Sequence, residues 1–164
     1  MLSGGILIKG QVISGEFGKV IARQKAGQTI EIGELLVAES DGAKILLQAY
    51  NLLFGSQISQ QNLEMISGMK LEEDANEEEE IYEIFDKDLR NYTLAVMKSL
   101  VCIKGRNAFV SKSLPGFFSE VREVKEEDLS FLAKPKNPLF LGNLRSGSKL
   151  LDVPIYFDGE RIFS

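Results

Sequence analysis

The chain has 164 residues, 44% of them hydrophobic and 26% charged, which is enough for one domain with its own core. With one cysteine, Cys102, and no histidine, it can form no internal disulfide, and structural zinc and the cysteine-histidine and serine-histidine nucleophilic classes are excluded. The formal net charge of -5 is uneven: ten of the 24 acidic residues lie between Glu72 and Asp88 against one basic residue, Lys87, leaving 14 acidic and 18 basic residues elsewhere. A mildly basic body permits contact with a phosphate backbone but does not argue for it. Carboxylate chemistry with magnesium or calcium survives this filter, yet no Asp-x-Asp loop or calcium-hand pattern occurs. The start MLSGGILIKG has no signal-peptide pattern and no apolar run is long enough for a membrane span, so a cytoplasmic protein with no membrane partner is expected.

The first fifty residues are predicted to be β-structure, with glycine turns separating GQVIS, KVIARQ and IEIGELLVAES. Asp41-Gly42 divides GELLVAES from AKILLQAY, and an Asp-Gly pair between two strand-like runs predicts a two-residue hairpin turn. The hairpin should span roughly Glu34 to Asn51. From Ser59 the period changes: Leu63, Ile66 and Met69 recur three apart behind a capping serine, which predicts a short amphipathic helix. A second helix is predicted inside the acidic run, with Ile81, Ile84, Phe85 and Leu89 on one face. Its leading glutamates suit the helix dipole. The run EEDANEEEE reads as a solvated loop, dispensable for folding, in preference to an acidic docking tail or DNA mimic.

Strand chemistry returns in TLAVMKSLVCI and AFVSK, on either side of the polar turn KGRN. Cys102 in that apolar run is expected to be a small core residue. A Leu114-Pro115-Gly116 turn leads to FFSEVREV, and KEEDLSFL predicts a short acidic-capped helix with Leu129 and Leu132 facing inward. The segment AKPKNPLFLGNLRSGS holds two of the four prolines and reads as an extended connector. DVPIYFDG reads as strand and turn, and Asp158-Gly159 should open a hairpin. Only ERIFS follows, so the chain is expected to end inside a longer protein. The fold expected is mainly β with an α insertion: a small closed β-barrel over 1–58 and 92–132, with a helical, acidic insertion at 59–91.

The stretch GNLRSGSK, Gly142 to Lys149, falls one residue short of the Gly-x-x-x-x-Gly-Lys-Ser/Thr loop that cradles nucleotide phosphates. In that loop the lysine directly follows the second glycine, and the loop opens a helix whose first amides complete the anion site. Here Ser148 holds the lysine position, Leu150 follows Lys149, and the strand formers beyond include Pro154. No phosphate loop is expected at this place.

The order of these segments resembles the HerA-like hexameric ATPases, DNA translocases common in archaea whose chains begin with a HerA and ATP-synthase type barrel. The likeness runs through GQVISGEFGKVI, IGELLVAE, DGAKILLQAYNL and LPGFFSEVREVKEEDLSFL to LFLGNLRSGSKLLDVPIYFDGERIFS, with Gly142, Asn143, Leu144, Val153, Pro154 and Ile155 as its most specific residues. The stretch from about Ser59 to Asn91 departs from the minimal barrel pattern. The resemblance implies that 133–164 is a linker and the first strand of a motor domain whose phosphate loop lies beyond Ser164. It also implies a collar that holds a hexamer together and docks a NurA-type nuclease in DNA end processing and repair. ATP, magnesium, the catalytic residues and the main DNA contacts would belong to the motor, and the chain itself is expected to hydrolyse nothing. Arg145 and Lys149 are the candidate contacts to a neighbouring subunit or to DNA.

A stand-alone barrel that binds single-stranded nucleic acid is the alternative. Phe109, Phe117 and Phe118 near Lys104, Arg106, Lys112 and Arg122 would supply stacking platforms beside a basic groove. The lack of tryptophan and the acidic run weigh against it.

Overall fold

Period-2 alternation builds most of what the computed structural model describes, residues 5–72 and 91–162. Seven strands form one sheet: β1 (Ile8–Glu16), β2 (Lys19–Gln24), β3 (Leu35–Ser40), β4 (Ala43–Ser56), β5 (Asn91–Lys104), β6 (Asn107–Val110) and β7 (Glu120–Glu123). Their order is β2-β1-β7-β3-β4-β5, and β5 returns to β2, so six antiparallel strands close into a barrel with β6 added on the outside of the ring. The expected mainly β fold with a closed barrel is therefore formed. β5 makes closure possible by dividing its edge: Leu94 to Met97 pair with β2, and Val101 to Lys104 pair with β6.

The predicted hairpin occurs as β3 and β4, with Ser40 opposite Ala43 and both turn residues at positive φ, Asp41 at 51° and Gly42 at 73°. Such a turn matches the twist of the strands it joins. Inward-pointing residues fill the bore. Val12, Val20, Leu36, Ile45, Leu47, Met97 and Val121 are buried there with four alanines, Ala22, Ala38, Ala49 and Ala95, whose small side chains suit a narrow barrel. Each large side chain in this set contributes roughly 1.5–3 kcal/mol. Ile30, in the loop between β2 and β3, joins the same core, and its amide donates to Gln24 Oε1 at 2.9 Å.

A second core lies outside the barrel wall. β8 (Pro138–Ser146) and β9 (Lys149–Asp158) form a separate antiparallel hairpin. Its Leu144, Leu151, Val153 and Ile155 pack with Leu35, Val37, Leu46 and Ile103 on the outer face of β3, β4 and β5. β3 is thus covered on both faces, which is why LLVA reads as a continuous apolar run. The stretch expected to be an extended connector is corrected here: from Pro138 onward it is a paired strand docked on the barrel. Pro138 stands at the first position of its strand, where a missing amide hydrogen costs no ladder bond.

Three local expectations also change. The turn after β7 is a single 3-10 turn, Glu126–Leu129, in which Leu129 is buried while Leu132 is 40% exposed. Asp158-Gly159 opens a short helix, α2 (Gly159–Ile162), in place of a hairpin, with the Glu160 amide donating to Asp158 Oδ1. Cys102 is only half-buried, because its cross-strand neighbour is Phe109 of the exposed β6. The predicted helix after Ser59 is present as α1 (Gln60–Glu72), and Ser59 Oγ accepts the Asn62 amide hydrogen at 3.4 Å. Its apolar stripe is weak: Leu63 and Ile66 are half-buried, while Met65 and Leu71 are exposed. The acidic run beyond Glu72 and the second predicted helix lie outside the described residues. No helix among the described residues is long and apolar enough to cross a membrane.

Candidate functional site

Gly142 to Lys149 folds as the end of β8, a turn at Gly147-Ser148 and the first residue of β9. Gly147 adopts φ 58°, a conformation that favours glycine, and a side-chain carbon there would press on Glu31 Oε2 at 2.5 Å, the movable end of a flexible side chain. The turn is bound to the barrel through that carboxylate. Glu31 Oε2 accepts hydrogen bonds from the Ser148 amide and hydroxyl, both at 2.6 Å. These two bonds from Ser148 hold the Glu31 carboxyl below its ordinary value. Ser146 Oγ, buried nearby, accepts the Leu35 amide hydrogen at 2.8 Å, which fastens the hairpin to β3.

The two candidate contact residues lie at this turn. Arg145 Nη1 donates to the Ser148 carbonyl at 3.3 Å and so braces its own turn. Lys149 Nζ lies 2.8 Å from Glu123 Oε1 at the end of β7, and this hydrogen bond raises the lysine pKa. Both side chains therefore already have local partners. Lys149 is largely exposed, and exposed pairs contribute little, so Arg145→Ala and Lys149→Ala are each expected to change stability by less than about 1 kcal/mol in urea titrations.

A buried ion cluster escaped the sequence reading. Asp128 in the 3-10 turn is enclosed, and Arg122 of β7 forks onto it at 2.7 and 2.9 Å. Lys44 reaches Asp128 Oδ1 at 2.8 Å, the Lys125 amide donates to Oδ2 at 2.9 Å, and Arg122 Nη2 also meets Glu39 at 3.1 Å. Burial disfavours charge on Asp128, but the bonds from Arg122, Lys44 and Lys125 outweigh it and hold the carboxyl well below the usual range. The hydrogen bond to Asp128 correspondingly raises Arg122. The only hint in the sequence is Asp128 three residues after Lys125, the spacing of a side chain that caps a turn. Arg122 is consequently withdrawn from any basic groove, which corrects the surface drawn for nucleic-acid stacking.

No family model and no curated protein sequence matches the chain. Function has to be read from the surface. Among the described residues no group of three histidine, cysteine, aspartate or glutamate side chains could hold a metal ion. An open depression of about 440 Å³ on β1 and β2 is lined by Gln11, Arg23, Gln24, Lys25 and Glu120, a mixed-charge setting without an enclosed wall.

What the surface does offer is apolar. Strand directions bring the β1–β2 turn, the β3–β4 turn and the β5–β6 turn to one end of the barrel, and the loop before β7 is tied there by the Gly116 amide donating to Ser40 Oγ. That loop and the turn expose Phe17, Phe117 and Phe118, each by more than half. Phe117 and Phe118 meet edge to face at 4.4 Å. Phe118 is held at φ 63°, an uncommon conformation for an aromatic residue, by its amide donating to the Val12 carbonyl and its own carbonyl accepting from Gln11 Nε2. A second exposed apolar set, Leu139, Phe140, Leu141 and Phe157, lies at the end of the β8–β9 hairpin away from its turn. Phe109 is exposed on β6, and among the described residues no ring contact joins it to Phe117 or Phe118.

Proposed function

We propose that this chain is the N-terminal barrel of a HerA-like, ATP-driven DNA translocase, where it helps assemble the ring and docks a NurA-type nuclease. The observation that carries the reading is the closed six-stranded barrel, with glycine turns in the order that the resemblance calls for. The exposed phenylalanines at one barrel end and on the hairpin support it, since large apolar side chains in clusters are the usual mark of surface that meets other protein. On this reading ATP and magnesium are held by a motor domain beyond this chain. The hairpin docked on the barrel wall sets the direction in which that domain departs.

The test joins two measurements. Light scattering of this chain at micromolar concentration is expected to give a monomer, because an isolated barrel lacks most of the ring contact and small interfaces are weak. The chain continued through a motor domain is expected to form hexamers and to retain the nuclease on a column. A natural stop after Ser164, or a longer chain that stays monomeric, overturns the reading. Submicromolar binding of single-stranded DNA by this chain in moderate salt favours the stand-alone nucleic-acid module in its place.

A further inference from the structure

We propose that the free edge of β6 accepts an extended, acidic segment of a partner protein as an added strand. The inference rests on the docking part of the reading above and names the chemistry of the partner. β6 ends the seven-stranded sheet: β5 occupies one side, and among the described residues no backbone hydrogen bond reaches the other. An edge of this kind presents amide hydrogens and carbonyl oxygens at strand spacing, which another strand can complete. Sheet edges that are merely protected against association are short and charged. β6 is short, but it exposes Phe109 at 55% and Val110 at 75%, neighbours that point to opposite faces. Protection alone would not put apolar residues there.

Basic side chains flank the edge in the sequence. Lys98, Lys104, Arg106 and Lys112 are exposed, and none forms an ion pair among the described residues. Lys9, Lys44, Arg122 and Lys149 each meet a carboxylate, whereas the exposed Lys19, Lys25 and Lys136 elsewhere are likewise without an ion pair among the described residues. Unbalanced basic side chains at both ends of an apolar edge are complementary to a segment that alternates acidic with apolar residues. Its backbone completes the sheet, its apolar side chains meet Phe109 on one face, and its carboxylates lie on the opposite face toward the basic side chains that flank the strand. Single-stranded nucleic acid shares the charge but brings no strand-spaced amides. A four-residue edge supplies few hydrogen bonds, so the affinity expected for a short peptide is on the order of tens of micromolar.

The probe is an end-blocked eight-residue peptide alternating glutamate and valine, titrated into the whole isotope-labelled chain and followed by amide shifts and hydrogen exchange. Saturable binding is expected, with shifts and added protection centred on Asn107 to Val110. The variant carrying Lys104→Glu and Arg106→Glu should weaken binding roughly tenfold or more, and Lys149→Ala should leave it unchanged. Methylating alternate peptide amides should abolish it, a control that leaves the protein untouched. The inference is overturned if the methylated peptide binds equally well, if the shifts fall elsewhere, or if an oligo-thymidine binds more tightly with the same sensitivity to charge reversal. Loss of peptide binding with hexamers intact in the longer chain removes the edge site alone. Peptide binding in a longer chain that stays monomeric removes the collar alone.

Discussion

Asp128→Asn is expected to lower the unfolding free energy by about 3–5 kcal/mol, the cost of leaving a buried charge without its partner. Arg122, with a side chain only 7% exposed, would keep its charge but lose the carboxylate that takes both arms of its fork. Glu39 cannot replace it, because its side chain is 60% exposed and meets one nitrogen only. Removing both charges together, as Arg122→Met with Asp128→Leu, should cost far less than either single change, since a well-packed apolar pair needs no compensation. Urea denaturation of Arg122→Met, Asp128→Leu and the double variant measures this as a double-mutant cycle. A loss below about 1 kcal/mol for Asp128→Asn would show that the cluster does not hold β7 and its 3-10 turn to the barrel.

The same cluster sets an acid limit. The folded pKa of Asp128 is depressed, so its contribution is fully present above the ordinary aspartate value of about 3.9 and is lost as pH falls below that toward the folded value. Stability should therefore decline between about pH 4 and pH 2 more steeply in the parent than in Asp128→Asn, which has no proton to take up at that position. Parallel acid limbs in the two proteins would contradict the assignment.

Val153→Asp is expected to detach the terminal hairpin while the six-stranded barrel remains folded. Val153 is 8% exposed and lies in the seam between β9 and the outer face of β3, β4 and β5. A carboxylate there loses the valine contacts and must be desolvated without a partner, at a cost of at least about 3 kcal/mol. Limited proteolysis should then cut near Lys134 to Asn137 much faster, with the barrel product surviving. Leu150→Asp, three residues earlier on the same strand but already 58% exposed, should leave the rate unchanged. Equal protection of Val153→Asp and parent would mean that the seam is not what holds the hairpin. A single cooperative loss of all structure would make the outer core necessary to the barrel itself.

Local signals in the sequence determined the strands of the barrel and their turns, because each depends on neighbours only. Alternation in KVIARQ and IEIGELLVAES reports which side chains face inward, and Asp41-Gly42 reports a turn that needs positive φ. The serine cap of α1 and the failure of GNLRSGSK as a phosphate loop are local in the same sense, since each turns on spacing within a few residues. The tertiary structure alone decided the rest. LFLGNLRSG is proline-flanked and apolar on both faces near its start, so it reads as a connector until β9 pairs with it and β3 supplies a face to cover. Arg122 and Asp128 look like any two surface charges until folding of the turn carries Asp128 out of water and against a guanidinium from another strand. β6 is called a strand by its composition, but whether its far edge is covered depends on how β2 and β6 divide β5 between them. Pairing between distant segments and burial of charge arise from long-range contacts, which no window of neighbouring residues contains.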